Sequence, residues 1–487
     1  MTTESFLWHD YETFGANPRL DRPCQFAAQR TNLALEPIGK PVTLYCQPAR
    51  DVLPVPEACL ITGITPQIAL EKGLPEYQFA AEIEQLMAEP GTCGVGYNNF
   101  RFDDEVTRFM FWRNFIDPYA REYTNGNSRF DLIDLLRMTA ALRPGGIQWP
   151  ARQDGLPSFR LEDLAAANGF DTEHAHDAMV DVVNTLALAR LVQQHQPRLW
   201  SWALALRQRH QVERLLGEQR PILHTSARFG ADRWCTAPVI SLFQHPQISS
   251  QWLVWNLNED PELFVEYDVE TLEDLHFTPS SDLPEDMKRL PVKWVRSNRC
   301  PMLSPLSVLN DAALERTGIQ LEQVQTHAER LLRQREFIER LRSLFGAARQ
   351  HQDQDADTAL YSGFVGRSDR QLCHRMLSMN PNRMAEFSQS HPEPFADPRL
   401  NDLLLRFLGR HAEATLAPEQ QAEWQRYRLQ RLVHDPDLGS IQLEDYKQRV
   451  QQLSKEQPER LALLQDLLNW IEHLELTQAP ENVKSIT

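Results

Sequence analysis

The sequence contains no C-x-x-C pair. Its seven cysteines, at 24, 46, 59, 93, 235, 300 and 373, are scattered and odd in number. That pattern argues against a zinc knuckle and against a disulfide framework. No run approaches the ~18 apolar residues of a membrane span. The opening MTTESFLWHD has no basic region followed by an apolar signal core. The expectation is a soluble, cytoplasmic protein with no membrane partner. No repeat of fixed period is present either. Positive charge is in deficit: 50 Lys and Arg stand against 67 Asp and Glu, a net charge of −17. Over the whole chain this opposes binding of a polyanion. Net charge is silent on distribution, however. Arginines recur at 101, 108, 113, 121, 129, 137, 143, 152 and 160, as a cradle for phosphates or as ordinary solvated helix faces.

What the chain has is length. Its 487 residues, 42% of them hydrophobic, suffice for two to four packed domains. Residues 1–195 mix strand-like runs (SFLWHD, PVTLYCQP, TCGVGYN) with segments of helical periodicity (DDEVTRFMFWRNF, RFDLIDLLRMTAALR, RLEDLAAANG and DAMVDVVNTLALARLVQQH). Early strands followed by alternating helices predict an α/β layer fold. A connecting helix is predicted over about 196–220. Short β-like runs from about 221 to 300, broken by Pro, Gly, Asn and Asp, predict a small barrel or sandwich. From about 310 the chain reads as charged helices. The expected division is 1–195, 196–345, 346–475 and a loose tail, 476–487.

In the segment FLWHDYETFG, Asp10 and Glu12 end an apolar strand. Positions i and i+2 of a strand face the same side, so the two charges repel. A lone D-x-E is a solvated strand end, or a place where a cation holds the pair. Other carboxylates sit at comparable places. GYNNFRFDDEVTR puts Asp103 and Asp104 at the start of a helix, and AHDAMVDV puts His176 ahead of Asp181 at the start of the long helix. Carboxylates converging in one cleft need metal. Two divalent cations about 3.5–4 Å apart make a phosphodiester-cleaving centre. All-oxygen ligands suit Mg²⁺, with Mn²⁺ as substitute.

The order of these motifs resembles the DEDDh exonucleases, with DYE supplying Asp10 and Glu12, NNFRFD supplying Asp103, and HDAMVD supplying His176 and Asp181. The frame of the second motif selects Asp103 over Asp104. Further segments (HDYETFG, DRPCQFAAQRT, CLITGITPQ, RNFIDPYA, ALRPGGIQWP, DGLPSFRLEDL, LYSGF) are similar to the bacterial exonuclease I family. The resemblance implies an RNase H-like exonuclease domain, an SH3-like β domain and a C-terminal helical domain. It implies processive 3′→5′ degradation of single-stranded DNA to 5′-mononucleotides in DNA repair, with Asp10, Glu12, Asp103 and Asp181 as ligands of two Mg²⁺ and His176 as general base. By the same resemblance Glu12, Arg108, Tyr119, Tyr123, Arg137 and Arg160 contact substrate, with Lys293, Trp294, Arg296, Tyr361 and Phe364 as further candidates. Arg121 stands where an aromatic residue is expected, so a phosphate contact would replace stacking there. The family also binds the acidic C-terminal tail of single-stranded DNA-binding protein. Arg143, Trp202 and Arg333 match that surface, whereas Leu306 departs from its polar pattern. A monomer is expected. The rival readings are a DEDDh enzyme acting on RNA 3′ ends and a non-catalytic binding protein on a degenerate nuclease fold.

Overall fold

The computed structural model describes residues 4–172, 177–279, 281–284, 287–346 and 355–476. A first five-stranded sheet is built from β1 (Ser5–Thr13), β2 (Pro23–Thr31), β3 (Pro37–Tyr45), β4 (Thr92–Gly96) and β5 (Ser128–Asp131), in the order β3-β2-β1-β4-β5. The β1–β2–β3 meander is antiparallel, and β4 and β5 run parallel to β1. The parallel pairing of β1 with β4 ends at Trp8↔Val95. Asp10 and Glu12 therefore project past the carboxyl end of β4, where open α/β sheets place their ligands. The helices Asp103–Arg113, Leu132–Leu142 and Ala178–His195 follow or cover these strands.

Two strands differ from expectation. β2 carries PCQFAAQRT, whose pairing with β1 and β3 no simple alternation announces, because nearly every residue in it is buried. β5 occupies the start of the predicted helix RFDLIDLLRMTAALR. At four residues it is too short to show a period. The predicted connecting helix is two helices, Pro197–Ala205 and Arg209–Gly217, broken at Leu206–Gln208.

The second sheet is antiparallel throughout, with β6 (Ile222–Thr225), β7 (Thr236–Gln244), β8 (Gln251–Asn256), β9 (Val292–Arg296) and β10 (Met302–Pro305) in the order β10-β6-β7-β8-β9. From Asp311 to His473 the described residues are helical between short turns. Among the described residues, no helix is long and apolar enough to cross a membrane.

The parts share cores. One apolar cluster runs from Phe6 and Trp8 through Trp200 to Trp255 and Phe345. Trp200 lies edge-on to both Phe6 and Phe130. On the other flank, Phe109, Trp112 and Phe115 pack into a cluster with Leu403, Phe407 and Trp424 of the C-terminal helices. That seam also contains buried charge. Asp357 Oδ2 accepts from Arg22 Nη2 and Arg410 Nη2, both at 2.6 Å, and Arg410 Nη2 also reaches Asp51 Oδ2 at 2.8 Å. Burial alone would raise the carboxyls of Asp51 and Asp357, but the surrounding arginines hold both below the usual carboxylate range. All seven cysteines are free of disulfides; six are buried and Cys373 is half-buried.

Candidate active site

Asp10 and Glu12 leave β1 on one side, and Asp181 enters from the first turn of the Ala178–His195 helix. Asp177 caps that helix by accepting from Met179 N. The main-chain N–H of Ala178 donates to Gln25 Oε1 on β2 at 3.2 Å, fixing the helix start beside Glu12, whose register partner is Gln25. One carboxylate oxygen each of Asp10, Glu12 and Asp181 lies within 4.8 Å of the other two.

Asp103 is the first residue of its helix and is buried. The N–H of Tyr11, between Asp10 and Glu12, donates to Asp103 Oδ1 at 3.1 Å. This bond sets the second motif against the first. Asp104 points the opposite way, because neighbours on a helix diverge by about 100°. It accepts from Arg121 Nη2 and Arg129 Nη1, each at 2.6 Å, and these cations hold it far below the usual carboxylate range against burial.

The carboxyls of Asp10, Glu12 and Asp103 shift upward. Burial first, then Asp103, Glu12 and Asp181, raises Asp10 well above the usual range. Burial followed by repulsion from Asp181 and Asp103 pushes Glu12 up to about 9. Burial pushes Asp103 up to about 8. Such a set is self-repelling when ionised, and its hard oxygen donors fit a divalent cation.

His176 lies outside the described residues. Arg160 stands exposed at the N-terminus of the Leu161–Ala167 helix, paired with Glu162. Tyr123 is exposed and Tyr119 half-buried. The Arg108 guanidinium lies 5.3 Å from the centre of the Tyr119 ring. That guanidinium is buried among Glu122, which it meets at 2.7 and 3.0 Å, and Glu105, at 2.7 Å. Arg121 is buried on Asp104.

Arg137 bonds to Asp134 at 2.6 Å and lines a cleft of about 200 Å³ between the two sheets, with Arg101, Lys293, Arg296 and Arg299. Burial lowers the Lys293 amine to about 7. Trp294 packs inward against Phe243 and Phe345, whereas Phe364 is fully exposed and Tyr361 is 41% exposed. Arg143 and Trp202 both donate to the main chain of the 303–308 segment, at Val308 O and Leu303 O, and Leu306 packs beside the core. Arg333 is exposed on the Leu321–Arg333 helix, 3.9 Å from Glu329.

Sequence reasoning missed Asp131. At the end of β5 it accepts from the N–H groups of Asn98 at 2.8 Å, Phe100 at 3.2 Å and Ile133 at 3.1 Å. Its carboxylate thereby clamps the turn that leads to Asp103, in which Asn98 takes a left-handed φ of 62°. The available signal was an Asp preceding an apolar periodic run, the mark of a helix N-cap.

Known proteins extend this picture. An exonuclease family model matches residues 7–189, an exonuclease I SH3-like domain model residues 207–347, and an exonuclease I C-terminal domain model residues 354–474. Exodeoxyribonuclease I of Escherichia coli K12 is 40% identical over 473 residues, covering 96% of this chain and 98% of its own. The structure of the moderately thermophilic exonuclease I of Methylocaldum szegediense superposes with a TM-score of 0.91 at 44% identity, covering 97% of this chain and all of its own. The zinc-bound form of the E. coli exonuclease I complex with single-stranded DNA gives a TM-score of 0.89 at 39% identity, with coverage of 97% and 99%. With motif order, site geometry, all three domain models and near-full-length relatives in agreement, the chain belongs to the exonuclease I family.

Proposed function

We propose that this chain is a processive 3′→5′ exonuclease that hydrolyses single-stranded DNA to 5′-mononucleotides and serves DNA repair and recombination as a cytoplasmic monomer. The observation that carries the reading is the convergence of Asp10, Glu12 and Asp181 within 4.8 Å in a chain whose relatives are exodeoxyribonucleases. Two divalent cations, Mg²⁺ with Mn²⁺ as substitute, would be held by Asp10, Glu12, Asp103 and Asp181, and would supply charge neutralisation at the scissile phosphate and a more acidic water.

The chain's own groups do the rest. The Tyr11 N–H keeps one oxygen of Asp103 turned toward β1. His176 takes the proton of the attacking water, a task suited to an imidazole that titrates near neutrality. Arg160 at the rim pairs with a backbone phosphate, and Tyr119 and Tyr123 offer ring faces to bases without reading them. Arg108, beside Tyr119, and Arg137, in the basic cleft through which the upstream strand passes, contact strand phosphates. The acidic C-terminal tail of single-stranded DNA-binding protein docks near Arg143, Trp202 and Arg333.

The test is incubation of 3′- and 5′-labelled single strands with Mg²⁺, beside RNA of the same sequence. The expected result is immediate release of labelled 5′-mononucleotide from the 3′ end of DNA alone. Preferential digestion of RNA, or release from the 5′ end, would overturn the proposal.

A further inference from the structure

Glu105 occupies the first turn of the Asp103–Arg113 helix, just past Asp103, and side chains from all three parts of the chain meet on it. From its own helix, Arg108 Nη1 donates to Oε1 at 2.7 Å. From the turn between β9 and β10, Arg299 Nη2 donates to the same oxygen at 3.3 Å. From the short helical turn Ala359–Tyr361, the Tyr361 hydroxyl donates to Oε2. Arg108 Nη1 also donates to Tyr361 Oη at 3.1 Å, and the Tyr361 ring stands edge-on to Phe109 at 5.6 Å. The contacts continue inward without a break. Arg108 pairs with Glu122, Glu122 with Arg129 at 2.9 Å, and Arg129 with Asp104 at 2.6 Å, beside Asp103.

At this junction Arg299 pairs with Glu105, whereas Arg108 and Arg129 also pair with Glu122. Burial, together with the neighbouring Arg296, Arg108 and Arg129, lowers the Arg299 guanidinium to about 10. Without a counter-ion, the cationic loop of the β domain and the arginines of the nuclease helix would repel one another. Glu105 is largely shielded, with 16% of its side chain exposed, so its attraction is less screened than that of a surface pair.

We infer that Glu105 is a positioning residue that latches the β domain and the C-terminal helices onto the helix carrying Asp103, and that this latch keeps a strand enclosed between successive cleavages. The inference rests on the processive reading above. Glu105 makes no contact with the strand itself; it acts through Arg299 and Tyr361.

The test compares wild type, Glu105→Gln, Arg299→Gln and the double variant, full-length and with Mg²⁺. Run length on a long single strand is read after a trap strand is added, and turnover is read on saturating trinucleotide. Thermal midpoints establish that each variant is folded, and Arg299→Gln, at a partly exposed turn, keeps the test alive should Glu105→Gln unfold. The latch predicts that either single change shortens runs about tenfold, that trinucleotide turnover of Glu105→Gln stays within about threefold of wild type, and that the double variant runs no shorter than the more affected single one, as expected of residues acting as a unit. Wild-type run length in folded Glu105→Gln, or losses that multiply in the double variant, would overturn it. A wild-type enzyme that is itself distributive would instead sink the processive reading, and the latch with it.

Discussion

At the scale of single residues, the site is a balance of like charges. Asp10→Ala or Asp181→Ala should reduce nucleotide release below about a tenth of wild type at saturating Mg²⁺ while leaving DNA binding largely intact, as measured by release assay beside filter binding. His176→Ala should lower turnover by roughly 10²–10⁴-fold and remove the acid limb of the pH–rate profile. The raised carboxyls also carry a stability consequence. Glu12 and Asp103 have folded values of about 9 and about 8, above unfolded values of about 4. Such groups stabilise the fold fully below the unfolded value and withdraw that support as pH rises through the folded one. In EDTA the thermal midpoint should therefore fall between about pH 5 and pH 9, and Mg²⁺ should raise it most at the alkaline end. Lys293 contributes the opposite trend in both conditions, so the difference between the two curves is the quantity to read. Equal slopes with and without Mg²⁺ would contradict a cation shared by these carboxylates.

At the scale of elements, the approach from Asn98 to Asp103 would be a plain loop were it not for Asp131, whose carboxylate holds it against the start of the next helix. Asp131→Asn keeps the shape but presents an amide N–H₂ to one of the three N–H groups now clamped. Turnover should fall about tenfold with the apparent Mg²⁺ requirement shifted upward, since the loss of a cap typically costs about 1 kcal/mol and here also loosens a candidate ligand. An unchanged Mg²⁺ titration would show that the clamp matters only to folding. The same element shows what a sequence can display. Asp10, Glu12, Asp103 and Asp181 were legible because each sits at a chain punctuation, a strand end or a helix start, and because their order matches a family pattern. The long helices were legible from their period. β2 and β5 were not, because one is buried along nearly its whole length and the other is too short, and neither shows an alternation. The ion pairs of Arg108 and Arg121 were hidden because a guanidinium is equally suited to a phosphate and to a buried carboxylate. Only the positions of Asp104, Glu105 and Glu122 in space reveal those pairs.

At the scale of the whole molecule, the three parts are joined by shared apolar clusters and by the buried ion pairs around Asp357, so the chain should unfold as one unit. Asp357→Asn should destabilise it by about 3–5 kcal/mol, the effect of stranding buried cations without a partner, and should lower the midpoint of a single transition in calorimetry. Two separated transitions in the wild-type protein would contradict a common core. For the same reason, cutting the chain after residue 195 would strip Trp200 from Phe6 and Phe130, so processivity is better probed by point substitutions than by truncation. The buried thiols have a different use. Burial raises the thiols of Cys24, Cys46, Cys59, Cys235 and Cys300, and pushes half-buried Cys373 up to about 12. Cys93 is buried as well. Thiolates are the reactive form and need access to the reagent. Tyr123→Cys or Phe364→Cys, at exposed positions, would then take up a maleimide dye ahead of every native cysteine, giving a fluorescent reporter of strand passage on an otherwise unmodified background.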